Sequence, residues 1–551
     1  MARRDGMTRL DFLRTLTATG AAALFGGCAL PVWAKNRLAL NASTLRAYGL
    51  TLDEQVRAAV AGGFSGFEPW LRDVRAAQAA GTLRDVVAYA RDHGLAFVNG
   101  IAFGQWAHPD EQVRAAGLEE TKRDMALLAE MGCPFIAASM FGVQKPGAPA
   151  LPHEAIAARF RAVCALGDET GVKPLLEYWG HSANLSTLED ALDVLDKAGR
   201  RDAALLADVY HTYRGASRFG SFARLRAGQL PVLHMNDYTF AKPRAALVDA
   251  DRVWPGDGAA PWRSLFRTLD AIGAAPWLSI ELFNPAYCRS TPRETARVGV
   301  QKCKGLEQKN ALRLGVQMWS VDDLWRKDPA GAFRRLRALG YEGVQSLGFY
   351  TMDWNELEKM LAGEGLQIVD MPFRPEMVAK PGDFSRFVDF CRRFRVEFVY
   401  LPWIGNDRSE AFWRARAAEL AAWREKFAAA GLRTGFHNHQ VELTTKFADG
   451  SCPLDAFEKA GVDFELDVGH ATLAGADPVA WLQRLAGRVP SIHAKPGGGR
   501  AVGGPDDRND WRTLLPEAAA SGAKWAVVEC EARRNTFEDV AASAAYLKGI
   551  L

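Results

Sequence analysis

Short apolar runs recur along this chain. Each ends in Gly or in an acidic or imidazole side chain, and each is followed by a longer stretch rich in Ala, Leu, Arg and Glu. Continuous apolar runs of this length read as strands buried on both faces, and the longer stretches as the helices that cover them. The first series is Leu38–Leu40, Gly66–Glu68, Leu95–Gly100, Phe135–Ser139, Pro174–Glu177, Ala204–Asp208, Val232–Asp237 and Leu278–Glu281. Residues 52–61 predict a helix with the preceding Thr51 as its N-cap. The polar stretch CRSTPRETARVGVQKCKGLEQKN predicts a closing helix and then a linker at 305–311.

From Leu312 the series restarts with Gly315–Met318, Gly343–Ser346, Leu366–Met371, Val396–Leu401, Arg433–His437, Phe464–Asp467, Ser491–Lys495 and Ala526–Glu529. Eight strand–helix units per series predict a closed parallel barrel. The fold class is therefore α/β, with two tandem (β/α)8 TIM barrels at 36–304 and 312–551. A period of about 270 residues marks duplication of a whole domain, not a solenoid of short repeats. The stretches LLADVYHTYRG and FELDVGHATLAG carry the duplication most plainly. Each runs an apolar strand into an Asp-x-x-His, Asp208 with His211 and Asp467 with His470.

Composition narrows the function classes. The chain has 551 residues and a net charge of +3, so nothing points to a nucleic-acid surface or an acidic tail. Residues 1–34 read as an export signal. Arg3, Arg4, Arg9 and Arg14 precede an apolar, small-residue run that ends in Val32-Trp33-Ala34, and the run is too short for a membrane span. The expectation is a periplasmic or exported protein with a cytoplasmic alternative, and with membrane contact only if this segment is kept or lipidated. Downstream cysteines show no CxxC or zinc-ribbon spacing.

In an α/β barrel the chemistry sits at the C-terminal ends of the strands. Barrel one places Glu68, Glu177, Asp208, His234 and Glu281 there. Glu177, Asp208, His234 and Glu281 come from the last four strands, which are neighbours around the barrel. Three carboxylates gathered without a partner resist ionising, and a divalent cation removes that repulsion. Three oxygens and one imidazole suit Mn, Co, Zn or Mg. Trp179 lies near these tips and offers a face for a sugar, as do Trp70, Trp254 and Phe283.

The set LLEYWG, ADVYHTYRG, VLHMNDY, DADRVWPGDG and LSIELFN resembles the sugar phosphate isomerase/epimerase family of xylose-isomerase-like TIM barrels, over both halves from about residue 37 onward. The resemblance implies that Glu177, Asp208, His234 and Glu281 bind a divalent metal. It implies that Glu177 and Glu281 are the catalytic acid–base pair, and that His211 and Arg252 hold substrate oxygens, with Glu68 and Trp179 beside them. The implied activity is isomerisation or epimerisation of a keto-sugar or sugar derivative through an enediolate, with a small-molecule sugar as partner and no nucleic acid. The alternatives are a lyase or dehydratase acting on a 3-keto-glycoside or inosose by enolate chemistry, and a sugar-binding protein with one dead barrel.

Barrel two departs from this pattern. Gln345 stands where barrel one has Glu68, and His437, in FHNHQVEL, where it has Glu177. That stretch resembles the YHNHDFEF signature of another branch of the same family. His437, Asp467, His493 and Glu529 are its candidate metal ligands, but a two-glutamate mechanism is not expected there. The Gly-rich stretch 496–510, which lacks the P-loop Lys and Ser/Thr, is read as a mobile loop over the site.

Overall fold

The computed structural model describes residues 37–405, 407, 409–531 and 537–551. The export-like segment 1–34 lies outside them. No helix among the described residues is long and apolar enough to cross a membrane.

Barrel one contains β1 (Leu38–Asn41), β2 (Gly66–Glu68), β3 (Ala96–Phe97), β4 (Phe135–Ala138), β5 (Lys173–Glu177), β6 (Ala204–Asp208), β7 (Val232–Met235) and β8 (Trp277–Ile280). They run in the order β3-β2-β1-β8-β7-β6-β5-β4, all parallel. Gly100 bridges in parallel to Ile136, which joins the two ends and closes the sheet. The strands are apolar on both faces because helices cover the outside and side chains fill the inside. The helix Leu52–Gly62 shows how a covering element is specified. Thr51 and Glu54 form a capping box at its start, Leu52, Val56 and Ala59 turn inward, and Gly63 ends it at φ 93°.

Barrel two contains β9 (Arg313–Gln317), β10 (Gly343–Gln345), β11 (Gln367–Ile368), β12 (Met371–Pro372), β13 (Phe398–Leu401), β14 (Arg433–His437), β15 (Asp463–Asp467), β16 (Ser491–Ala494) and β17 (Trp525–Val528). The third strand, expected as one run, is split. β11 pairs with β10 and β12 with β13; Val369 still donates to the Val344 carbonyl of β10 at 3.0 Å, and Asp370 lies between the two pieces. The interruption aims the Asp370 side chain into the barrel, where Ser491 donates to it over 2.7 Å.

The helical face after β6 and β7 of barrel one packs against the corresponding face after β15 and β16 of barrel two. Arg218 pairs with Asp477 at 2.9 Å, and the Tyr238 hydroxyl donates to the Ala520 carbonyl at 3.1 Å. Glu517, buried in this seam, accepts from the Phe219 amide and from Gln483. The segment 305–311 is held against barrel one. Leu306 is buried, and the Asn310 amide donates to the carbonyls of Gly258 and Ala260.

The Gly-rich stretch 496–510 was expected to be mobile, and its hydrogen bonding corrects that expectation. The Asp507 carboxylate accepts from the amides of Gly497, Gly503 and Asn509 and from the Trp511 indole, which laces the loop together. Asp237 does the same in barrel one, accepting from Tyr238, Gly256, Ala260 and Trp262.

Candidate active and metal sites

The Asp-x-x-His spacing has a local cause. Asp208 caps the short helix Val209–Arg214, and its Oδ1 accepts from the backbone N–H of His211, three residues on, at 2.6 Å. Asp467 caps Val468–Leu473 and accepts from the N–H of His470 at 2.7 Å. In each barrel the cap uses one carboxylate oxygen and leaves the other facing the barrel axis.

In barrel one the ligand atoms of Asp208, His234 and Glu281 lie within 4.8 Å of one another, all buried. His234 Nδ1 is 3.2 Å from Glu281 and 3.8 Å from Asp208, yet it has no hydrogen-bond partner. The imidazole is thus an ion-pair neighbour of Glu281 without a well-directed hydrogen bond. Arg252 occupies the same space. Its Nη1 donates to Asp208 at 3.1 Å and to Glu281 at 2.7 Å, and its Nη2 reaches His211 at 3.0 Å and Asp249 at 2.9 Å. Burial pushes the Glu177 carboxyl up to about 8, against the pull of His234, and Glu177 stands outside the trio at that spacing. Burial also disfavours charge on Glu281, but His234 and Arg252 outweigh it and hold that carboxyl well below its ordinary range. His211 is kept well below its ordinary value, first by burial and then by Arg252, so its ring is neutral and can accept from the guanidinium.

The structure moves one expected residue out of the substrate set. Glu68 was expected to contact substrate, but its carboxylate is fully enclosed. It accepts from Asn41 at 3.2 Å, from Asn99 at 2.8 Å and from Ser279, and lies 3.1 Å from His234 Nε2. It orients the imidazole from beneath. Among the aromatics, Trp179 is half-buried and stacks on the exposed His181, Trp70 donates to Ser43 Oγ, and Trp254 is buried. Phe283 lies under the guanidinium groups of Arg46 and Arg252.

Barrel two assembles its full set. The ligand atoms of His437, Asp467, His493 and Glu529 lie within 4.8 Å of one another. His437 Nδ1, Asp467 Oδ2 and His493 Nδ1 are all buried without hydrogen-bond partners, although His493 Nδ1 comes within 2.6 Å of Glu529. Buried polar atoms are rarely left alone. Three of them aimed at one point fit a cation ligated by two imidazoles and two carboxylates. Burial and the neighbouring His493 and His439 hold the His437 ring neutral, the form that ligates. Lys495 reaches Glu529 at 3.2 Å and Glu531 at 2.8 Å.

The carboxylate beneath the histidine has changed strand. Gln345, where barrel one has Glu68, accepts through Oε1 from His493 Nε2 at 2.9 Å, and Glu465 lies 3.1 Å from the same nitrogen. The ladders place Glu465 level with His437, as Leu206 is level with Glu177. Barrel two has therefore kept a carboxylate under its histidine but carries it on β15, where barrel one has a leucine. Sequence reading missed Glu465 and Asp370; the available signal was an acid inside the otherwise apolar strand FELD.

A cavity of about 400 Å³ opens above the barrel-two set, walled in part by Trp319, Arg374, Tyr400 and His439. His439 follows His437 as Trp179 follows Glu177. It stands 5.0 Å from His470, and burial together with His470 holds its pKa down to about 4.

Residues 56–305 match the model of the xylose isomerase-like TIM barrel family. Barrel one has the xylose isomerase-like TIM barrel fold. The chain is also similar to an inosose isomerase of Bacillus velezensis, 26% identical over 235 residues, which is 42% of this chain and 83% of that protein. A 3-dehydroshikimate dehydratase of Pseudomonas aeruginosa is 25% identical over 315 residues, 55% of this chain and 48% of its own length. The chain thus spans about half of that dehydratase. Among solved structures, the IolI protein with a bound zinc atom aligns with a TM-score of 0.46 at 22% identity, covering 49% of this chain and 98% of its own. The xylose isomerase-like barrel of this chain thus carries an Asp–His–Glu trio at its strand ends, with a further glutamate beside it.

Proposed function

We propose that the chain is a divalent-metal-dependent enzyme that moves protons on the carbon skeleton of a keto-sugar or keto-cyclitol, with its acid–base site in barrel one. The observation that carries this reading is the convergence of Asp208, His234 and Glu281 at the C-terminal end of a barrel, with His234 Nδ1 unpartnered between the acids. Such an ion, held there with Glu177 as fourth ligand, would polarise a carbonyl or hydroxyl oxygen and acidify the neighbouring C–H.

The chain's own groups supply the rest. Glu177 and Glu281 are the two carboxyls beside that position, and between them they could take a proton from the carbon skeleton and return one. Arg252 and the neutral His211 meet substrate oxygens, and Arg252 must release Glu281 as an ion enters. Return of the proton gives isomerisation or epimerisation. Loss of a hydroxyl β to the carbanion gives dehydration, the second reading, which the similarity to a 3-dehydroshikimate dehydratase favours. The N-terminal segment directs export on this proposal, and protein from the native host should then start near Lys35 when sequenced by mass spectrometry.

The test is metal analysis of the purified protein, followed by solvent-deuterium exchange with a panel of ketoses, inososes and keto-glycosides. A stoichiometric divalent metal and deuterium at the carbon beside the carbonyl are expected, and Asp208→Asn should lose both from barrel one. Protein that binds no divalent metal and exchanges no C–H with any member of the panel contradicts the proposal.

A further inference from the structure

Four large apolar side chains stand exposed among the described residues, and three of them follow strands of barrel two. Trp319 follows β9, Trp403 follows β13 and Leu473 ends the helix after β15; their exposures are 44%, 47% and 37%. Both tryptophans follow barrel-two strands at their C-terminal ends, the end at which the cavity opens. Trp319 forms part of the cavity wall, and Trp403 meets His439 edge-to-face at 4.8 Å. Neither indole N–H has a hydrogen bond among the described residues.

The two mouths differ in this respect. The aromatics near the mouth of barrel one are half-buried or buried, with Ser43 bonding Trp70, His181 stacking on Trp179 and two guanidinium groups over Phe283. Trp319 and Trp403 of barrel two are exposed instead. Exposing a tryptophan on a folded surface is costly unless something covers it, and isolated exposed apolar side chains do not usually cluster around one cavity. A volume of about 400 Å³ falls in the range of sites that enclose ligands larger than a single small ring, roughly 300–1,000 Å³. Polar floor and aromatic rim together describe an amphipathic ligand, with hydroxyls at one end and a flat apolar face at the other.

We infer that barrel two binds a two-ring glycoside. One sugar ring sits over His437, Asp467, His493 and Glu529, and a second ring, sugar or aryl, stacks on Trp319 and Trp403. This rests on the reading of those four residues as a ligand-binding metal centre, and it adds the substrate class. The exposed indoles lie outside both clusters, so replacing them tests the rim without disturbing the floor.

The experiment titrates metal-loaded full-length protein with glucose, cellobiose and phenyl β-glucoside by calorimetry, alongside the Trp319→Ala, Trp403→Ala double variant. At least one two-ring ligand should bind about tenfold tighter than glucose to the unaltered protein. Cellobiose tighter than phenyl glucoside assigns the second ring to a sugar, and the reverse order assigns it to an aryl group. In the double variant the preference should fall to parity while glucose affinity holds. Equal affinities for all three in the unaltered protein, or a preference that survives both substitutions, overturns the inference. Cobalt titration separates the two levels. Asp467→Asn should lose one cobalt site, and if it does not, the reading of the four residues fails whatever the rim does.

Discussion

Barrels one and two share a fold, an Asp cap before the site and a strand-seven histidine, yet they balance charge around that histidine differently. In barrel one, Glu68 on β2 lies beneath His234, and Arg252 is a tethered cation between Asp208 and Glu281. In barrel two, Glu465 on β15 lies beneath His493, Lys495 pairs with Glu529 at 3.2 Å from the side, and an open cavity stands above ligand atoms that lack hydrogen bonds. A histidine between carboxylates is one electrostatic problem with two solutions here. What differs is the second proton-handling group. Barrel one retains Glu177 where barrel two has His437, so only barrel one carries a glutamate at both of these strand tips, Glu177 and Glu281.

Removing the tethered cation should break the comparison most severely. Arg252→Met leaves Asp208 and Glu281 buried without their partner, at a cost of about 3–5 kcal/mol in metal-free protein. Added divalent metal should recover much of that loss, because the ion takes the charge role that the guanidinium held. Chemical denaturation with and without metal checks it, and a variant that metal does not rescue would mean that no ion can occupy that position.

Glu465→Leu gives barrel two the residue that barrel one has at this level. Gln345 still bonds His493, so a loss of only about 1–3 kcal/mol is expected. Metal affinity of barrel two should fall roughly 10–100-fold, as for other supports of a ligating imidazole. Calorimetric metal titration reads this, and unchanged affinity would show that Gln345 alone orients the ring.

The barrel–barrel seam gives the smallest effect. Burial pushes the Glu517 carboxyl up to about 7. A carboxyl raised in the folded state favours the protonated form, so its contribution is complete below the unfolded value of about 4.5 and is lost as pH rises through about 7. Thermal unfolding should therefore show a melting temperature that falls between pH 5 and 8, and Glu517→Gln should flatten that fall. An equal slope in both proteins would place the titration elsewhere.

The sequence pattern places every strand within a few residues, because a fully buried parallel strand has no alternation to obscure it and its tip residue is polar. Asp208, His234, Asp467 and His493 were legible for that reason. Glu281 and Glu529 were equally so, one residue beyond β8 and β17. What was not legible depended on distance in the fold. Glu465 and Glu68 stand on different strands of their barrels, and only the closed barrels show that each ends at the Nε2 of its own strand-seven histidine. Arg252 sits in a loop after β7, and nothing in DADRVWPGDG tells that its guanidinium enters the acid trio instead of facing solvent. The loop 496–510 looked free because glycines suggest mobility, whereas the single carboxylate of Asp507 binds it at four points.

The division of labour between the barrels is tested most directly by solvent-deuterium incorporation into a responsive ketose or inosose, measured for Glu281→Gln and Glu529→Gln side by side. Glu281→Gln should abolish C–H exchange, since it removes the ionised carboxyl of the barrel-one pair, and Glu529→Gln should leave exchange largely intact. Exchange silenced by Glu529→Gln and preserved in Glu281→Gln would contradict the account and make barrel two, with its imidazole-rich centre, the site of the reaction.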